Sequence, residues 1–178
     1  SPGAEGFGVK RAGLAVPDSI MLIVSPGGCG RNTSVLSSMR AYHDRFYYLL
    51  MDETDIVTGR HLKKIPKAVA EICEGLEKKQ SVVMICITCV DALLGTDMER
   101  VCRKAEEYAK IPVKPCYMYA LTREGRKPPM VHVRQSIYSL LEPKKKKGNV
   151  VNLLGYFSPI IDDCELYDLL HGAGVKTI

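Results

Sequence analysis

The chain has 178 residues, of which 46% are apolar and 25% are charged, and its formal net charge is +5. This composition excludes a disordered or fibrous chain and suits one compact domain with the opening of a second. The apolar runs are far shorter than the roughly 20 residues that a membrane-spanning helix needs, so no membrane partner is expected.

Cysteine usage favours free thiols or metal ligation over disulfide bonds. The chain has seven cysteines, an odd number, and its first residues lack the charged leader and apolar stretch of a secretory signal. Disulfides persist mainly in exported proteins. We therefore expect a cytoplasmic protein whose cysteines are reduced.

Much of the positive charge comes from one lysine run at 144–147. A solvated run without interleaved aromatic residues is weak evidence for a polyanionic partner. The rest of the sequence contains no recognisable nucleic-acid-binding module. No nucleic-acid partner is expected.

Strand and helix patterns alternate along the chain. Residues 20–24 form an uninterrupted apolar run ahead of a glycine-rich loop, as expected for a strand buried on both faces of a parallel sheet. Further strands are predicted at 46–51, 82–88 and 111–119. Pro112 and Pro115 favour an edge position for the last of these strands.

Helices are predicted between these strands. Apolar residues spaced by three and four from Arg60 to Leu76 predict a long amphipathic helix. Thr96 and Glu99 have the spacing of a capping box for the next helix, and another is predicted at 131–141. The alternation predicts an α/β fold with a doubly wound, mainly parallel sheet, a Rossmann-like or flavodoxin-like three-layer sandwich.

A basic linker at 143–148 is the clearest boundary in the sequence. It separates a first α/β domain, 1–142, from the beginning of a second α/β domain, 149–178. That second part contains a predicted strand at 150–154 and a helix that Asp162 and Glu165 can cap. It lacks the elements needed to cover both faces of a sheet, so we expect a truncated domain and a fragment of a longer polypeptide.

Cys29 follows the first predicted strand and Cys89 follows the third. Ligand sites in open α/β sheets form outside the carboxyl ends of the strands. If these strands are neighbours, the two thiols face one crevice roughly 5–10 Å apart, which suits ligands of a single metal cluster. Gly27, Gly28 and Gly30 would allow a bulky inorganic ligand to approach and offer it backbone N–H groups. The alternative is a loop thiol at Cys29 and a small core residue at Cys89.

The remaining motifs are less specific. The CxxC of Cys86 and Cys89 starts inside a strand rather than at a helix start, which argues against a redox dithiol, and no second ligand pair supports zinc. The loop at 27–34 invites a phosphate-loop interpretation but lacks the Gly-Lys-Ser/Thr ending, so metal-free nucleotide or anion binding stays a third alternative.

Other cysteines and the histidines receive no catalytic role. Five cysteines are predicted to be structural: Cys73, Cys86, Cys102, Cys116 and Cys164. The four histidines match no catalytic triad and are predicted to lie at the surface or at helix ends: His43, His61, His132 and His171.

Four segments together resemble a known family. They are the first strand with its cysteine loop at 19–30, Met-Asp-Glu-Thr-Asp-Ile-Val-Thr-Gly at 51–59, the second cysteine segment at 88–99, and the strand at 149–157. In this order they resemble the nitrogenase component 1 type oxidoreductases. That family includes the nitrogenase molybdenum-iron protein subunits, dark-operative protochlorophyllide reductase and their relatives.

The resemblance implies that Cys29 and Cys89 are metal ligands of an iron–sulfur cluster, of the 4Fe–4S type or larger, at a subunit interface. An earlier ligand cysteine is implied at or just before Ser1, so the cluster is expected in the full-length protein and can be absent from this fragment. The implied partners are a homologous subunit, in a homo- or heterodimer, and an ATP-dependent iron–sulfur reductase protein.

Two functions follow from this resemblance. The first is an oxidoreductase subunit that relays electrons to a substrate, with no catalytic residue assigned in this chain. The alternative is a scaffold or assembly protein that holds a metallocluster or tetrapyrrole without turnover.

Overall fold

The computed structural model describes residues 2–31, 38, 42–118, 128–142, 160 and 163–175. The chain divides into two compact units, Ser1–Leu140 and Leu141–Ile178. The predicted linker at 143–148 and the predicted strand at 150–154 lie outside the described residues. The predicted domain limits therefore stay a prediction.

A parallel sheet of four strands forms the centre of the first unit. The strands are β1 (Ile20–Ser25), β2 (Phe46–Leu50), β3 (Val83–Ile87) and β4 (Val113–Tyr117). Their order is β2-β1-β3-β4, and each neighbouring pair is parallel. The predicted α/β class is confirmed, and β4, with its prolines, ends the described sheet.

Seven helices accompany the described strands of this unit. In chain order they are α1 (Pro2–Gly13), α2 (Gly27–Arg31), α3 (Glu53–Thr58), α4 (Arg60–Gly75), α5 (Cys89–Leu94), α6 (Met98–Ala109) and α7 (Pro129–Tyr138). Helices α4 and α6 cover one face of the sheet, whereas α1 and α7 pack together and against β4.

Side-chain alternation along the strands separates the two faces. Leu22 of β1 and Ile85 of β3 join the main core with Ile65 of α4 and Met98 of α6, all buried. The intervening strand residues face the opposite side. The sheet is therefore covered on both faces, which explains its uninterrupted apolar strands.

Helix α1 was not expected, because the sequence analysis predicts no helix at 2–13. Glycine lowers intrinsic helix propensity, so the sequence signal is weak. Tertiary packing compensates: a Cβ added at Gly13 would lie 2.7 Å from Met21 Cε. Gly13 thus allows α1 to approach the sheet closely. A Cβ added at Gly8 would lie 3.6 Å from Met130 Sδ, an ordinary contact distance.

Short helices replace two predicted loops. Helix α2 begins directly after Pro26, within the expected glycine loop, and α5 begins at Cys89, where a turn was expected. The predicted capping box at Thr96 is wrong, because Asp97 is the cap: its Oδ1 accepts a hydrogen bond from the Arg100 backbone N at 3.0 Å.

The second unit contains helix α8, Glu165–Gly172. Its N-cap is Cys164, one residue before the helix, rather than the predicted Asp162, which lies outside the described residues. Taken over the described part of the chain, no helix combines the length and apolar content needed to cross a bilayer.

Asp55 is a buried carboxylate that joins α3 to α4. Its Oδ2 accepts a hydrogen bond from Lys64 Nζ at 2.7 Å, and its Oδ1 lies 3.4 Å from Arg60 Nε. Its backbone N donates to Asp52 Oδ1 at 2.7 Å, which caps α3. The hydrogen bond from Lys64 lowers the pKa of Asp55 below 3.8, although burial acts in the opposite direction.

This lowered pKa predicts acid sensitivity. The unfolded chain, where the pKa of Asp55 is higher, binds more protons on acidification, so the stability that Asp55 contributes is lost as the pH falls through the lowered pKa. We expect Asp55→Asn to flatten the dependence of the free energy of unfolding on pH below about pH 4. Urea denaturation at several pH values measures this slope. Glu107→Gln, on the exposed side of α6, is the control, and an unchanged slope in Asp55→Asn would contradict the prediction.

Candidate metal centre

Strands β1 and β3 are neighbours in the sheet, with Val24 in register with Ile87. The chain passes from β1 to β2 on one side and returns across β1 to reach β3 on the other. In doubly wound sheets, the ligand crevice lies where the connections diverge in this way, outside the carboxyl ends of the strands. The edge between β1 and β3 is therefore the expected ligand site.

Cys29 and Cys89 both lie at this edge. Cys29 belongs to α2, a short turn in which the backbone N of Cys29 and that of Gly30 donate to Pro26 O at 3.0 and 3.2 Å. Cys89 is the first residue of α5. Cys29 is half-buried and Cys89 is exposed, so the alternative of a core residue at Cys89 is wrong.

Cys29 and Cys89 alone would be an incomplete ligand set for a metal cluster. Within the residues that the structure describes, no group of three or more His, Cys, Asp or Glu side chains could hold a metal ion. An iron–sulfur cluster is normally held by four thiolates. The soft donors of Cys29 and Cys89 suit such a cluster, but further ligands would have to come from outside the described residues.

The three glycines of α2 differ in their surroundings. A Cβ added at Gly27 or Gly28 would meet no described atom within 4 Å, whereas one at Gly30 would lie 3.0 Å from Ser25 Oγ. The close approach of Ser25 therefore explains why residue 30 is a glycine. The space beside Gly27 and Gly28 is open to a ligand.

Two buried hydroxyl groups mark the ends of the strands at this edge. Ser25 and Thr88 are 0% and 3% exposed, and neither side-chain oxygen has a hydrogen-bond partner among the described residues. An unpaired buried polar group costs about 1–3 kcal/mol. The sequence analysis missed both residues, although a polar residue directly after an apolar strand was the available signal.

Lys10 of α1 is a second residue that the sequence analysis missed. It is only 1% exposed. Burial lowers the pKa of its ammonium group, and the nearby thiols of Cys86, Cys116 and Cys29 act in the opposite direction. Because lysine is rarely buried, the sequence around Lys10 did not indicate that its side chain would be buried.

Other thiols suit a structural role better than metal ligation. Cys86, Cys102 and Cys116 are buried. A hydrogen bond with Cys86, together with burial, raises the pKa of Cys116, and burial raises the pKa of Cys102 and of Cys73. Metal ligation requires the thiolate, which a raised pKa disfavours.

The histidines lie at the surface or at a helix end, as predicted. His43 and His171 are exposed, and His132 is half-buried. His61 is the second residue of α4, at a helix end, and it is only 1% exposed.

The comparison with protein families decides the family of the chain. The family model described as "Nitrogenase component 1 type Oxidoreductase" matches residues 5–177. The chain belongs to this family. The resemblance carried by the four sequence segments is thereby confirmed.

Several relatives match this chain over only part of their own length. The cofactor biosynthesis protein NifE of Rhizobium meliloti is 27% identical over 176 residues, 95% of this chain and 37% of that protein. NifE of Mesorhizobium japonicum is 31% identical over 170 residues, 89% of this chain and 34% of that protein. The light-independent protochlorophyllide reductase subunit N of Heliobacterium mobile is 25% identical over 109 residues, which are 61% of this chain and 24% of that protein.

A solved structure supports the fold. "Nitrogenase Cp1 at pH 6.5" superimposes with a TM-score of 0.66 at 20% identity, covering 94% of this chain and 35% of the other. At this identity the likeness shows the fold alone. The chain spans about a third of the length of the NifE proteins that match it over most of its own length.

Proposed function

We propose that the chain is part of a nitrogenase-like oxidoreductase subunit that uses Cys29 and Cys89 as ligands of an iron–sulfur cluster, of the 4Fe–4S type or larger. The observation that carries the proposal is the position of both cysteines at the carboxyl edge of the neighbouring strands β1 and β3. When bound, such a cluster accepts and donates single electrons.

The residues around the two cysteines would support this role. Gly27 and Gly28 leave space in which a bulky group can approach the backbone, and backbone N–H groups near cluster sulfur tune its potential.

The proposed partners are a homologous subunit, in a homo- or heterodimer, and an ATP-dependent iron–sulfur reductase protein. Further cluster ligands are expected from the rest of the full-length protein or from the homologous subunit. The segment 52–59 is proposed to help shape a partner surface. Its Val57 is 85% exposed, which is unusual for a valine in a folded domain.

A scaffold function is the second candidate. The observation that favours it is that several relatives carry the name of iron-molybdenum cofactor biosynthesis proteins. A scaffold would hold a metallocluster or tetrapyrrole transiently and pass it on, without reducing a substrate. Both functions use the same two cysteines.

Anaerobic reconstitution of the full-length protein with iron and sulfide tests cluster binding. We expect iron and acid-labile sulfide to remain bound after gel filtration, with charge-transfer absorption and an EPR signal on reduction. A protein that binds no iron under these conditions would overturn the proposal.

A second experiment separates the oxidoreductase from the scaffold. Oxidation of the reduced reconstituted protein is followed with candidate substrates, in the presence of a reductase protein and ATP. Turnover supports the oxidoreductase. Transfer of the bound cluster to a second apoprotein without turnover supports the scaffold and overturns the electron-relay function.

A further inference from the structure

A cavity lies at the carboxyl edge of the sheet, on the face covered by α4 and α6. The turn between α3 and α4 lines one side of it, and the end of α5 with the first turns of α6 lines the other. Its volume is about 530 Å³, within the range of roughly 300–1,000 Å³ that is typical of small-molecule sites. Its apolar lining comes from Ile56, Val57, Leu62, Leu94 and Val101.

Cations converge on this cavity from two helices. Lys63 of α4 lines it opposite Arg100 and Lys104 of α6, and Asp97 is the acidic residue among them. Asp97 Oδ1 is already the acceptor for the Arg100 backbone N. Within the described ranges, none of the three cations forms an ion pair with a carboxylate. The cavity wall thus carries uncompensated positive charge.

The N-terminus of α4 adds to this positive charge. Its N-cap is Gly59, with φ 66°, which provides no side-chain hydrogen bond, and the first turn of α4 contains no acidic residue. The positive end of a helix dipole favours anions and disfavours cations. Asp55 compensates Arg60 and Lys64 but does not pair with Lys63. This side of the cavity therefore suits an anion.

His61 supplies an independent observation that points to a ligand. It lines the cavity and is only 1% exposed. Its Nδ1 lies 2.9 Å from the carbonyl oxygen of Asp55. A carbonyl only accepts, so Nδ1 carries a hydrogen, which leaves Nε2 available for a second hydrogen bond. Among the described residues, Nε2 has no hydrogen-bond partner.

We propose that this cavity binds the phosphate group of a phosphorylated small molecule. Lys63, Arg100 and Lys104 would bind the phosphate oxygens, and His61 Nε2 would form a hydrogen bond with one of these oxygens. The apolar lining and the volume leave room for the organic part of the ligand. Removing one of the cations or the imidazole should therefore weaken binding of the phosphate group.

Isothermal titration calorimetry of the full-length protein tests this proposal. The probes are inorganic phosphate and ribose 5-phosphate at about pH 7. We expect phosphate to bind, and ribose 5-phosphate to bind more tightly than phosphate. A protein that does not bind phosphate would overturn the site. Ribose 5-phosphate binding no tighter than phosphate would overturn the larger ligand.

Variants locate the binding. Arg100→Gln and Lys104→Gln are each expected to weaken phosphate binding by about tenfold, whereas Lys67→Gln, an exposed lysine of α4 outside the cavity, is the matched control and should bind as the native protein does. His61→Asn keeps a donor for the Asp55 carbonyl but is too short to replace Nε2, so phosphate binding should weaken. Circular dichroism confirms folding of each variant. Unchanged phosphate affinity in Arg100→Gln and Lys104→Gln, or in folded His61→Asn, would contradict the proposal.

Discussion

The double variant Cys29→Ala, Cys89→Ala of the full-length protein is expected to lose bound iron, charge-transfer absorption and the EPR signal after anaerobic reconstitution. Both thiols lie at the edge between β1 and β3, where the proposed cluster depends on them. Iron–sulfur clusters are held by direct bonds to thiolates, and alanine has no atom that replaces the sulfur. Iron content per chain and the EPR signal intensity measure the effect.

Each single variant is expected to bind less iron than the native protein. The matched control is Cys73→Ala, which removes a half-buried thiol in the last turns of α4 and should retain the spectra. Circular dichroism shows whether each variant folds. A folded double variant of Cys29 and Cys89 with native spectra would refute their role as ligands.

Arg45→Met is expected to reduce the free energy of unfolding by about 2–4 kcal/mol. Arg45 precedes β2 and ties it to the connection between α1 and β1. Its Nε donates to Ser19 O at 2.9 Å, and its Nη2 donates to Leu14 O at 2.8 Å, to Val16 O at 3.1 Å and to Ser19 Oγ at 2.7 Å. Methionine fills a similar volume but leaves these oxygens without their donor, and hydrogen bonds from charged groups contribute about 1.5–3 kcal/mol each.

Two further variants separate the hydrogen-bond geometry from charge. Arg45→Lys keeps the charge, but an ammonium group lacks the planar fork of the guanidinium, so an intermediate loss is expected. Arg11→Met removes an exposed arginine of α1 and should change stability by less than about 0.5 kcal/mol. Urea denaturation of all three variants gives the comparison. If Arg45→Met and Arg11→Met were equally stable, the hydrogen bonds of Arg45 would not contribute to stability.

The sheet was predictable because burial on both faces leaves a simple sequence pattern. The apolar runs that became β1 and β3 contain no polar interruption, and the prolines near β4 correctly indicated an end position. Helices α4 and α6 were predictable for the same reason, since one face of each packs on the sheet. The order of the strands was harder to predict from the sequence, because it depends on contacts between distant segments.

Features that depend on tertiary contacts were missed. Helix α1 forms although its glycines weaken its helix propensity, because Gly13 permits close packing on Met21. The N-cap of α6 is Asp97 rather than the predicted Thr96. Both side chains can accept a hydrogen bond, and only the local backbone geometry selects one of them. The burial of Lys10 and His61 has no counterpart in the sequence pattern.

The positions of Cys29 and Cys89 after two strands were predictable, because such positions can be read from apolar runs. That the two strands are neighbours was a condition of the hypothesis, and the sheet order satisfies it. The cavity between α4 and α6 was not predictable. Its cations are spaced along two separate helices, where they resemble an ordinary solvated helix surface.

The unequal burial of the thiols offers a practical route to measuring the assembly. Cys89 is exposed, whereas Cys86, Cys102 and Cys116 are enclosed in the protein. A maleimide reagent would therefore react with Cys89 in preference to those three residues. A cluster bound to Cys89 would protect this thiol, so slower labelling after reconstitution would report that the site is filled.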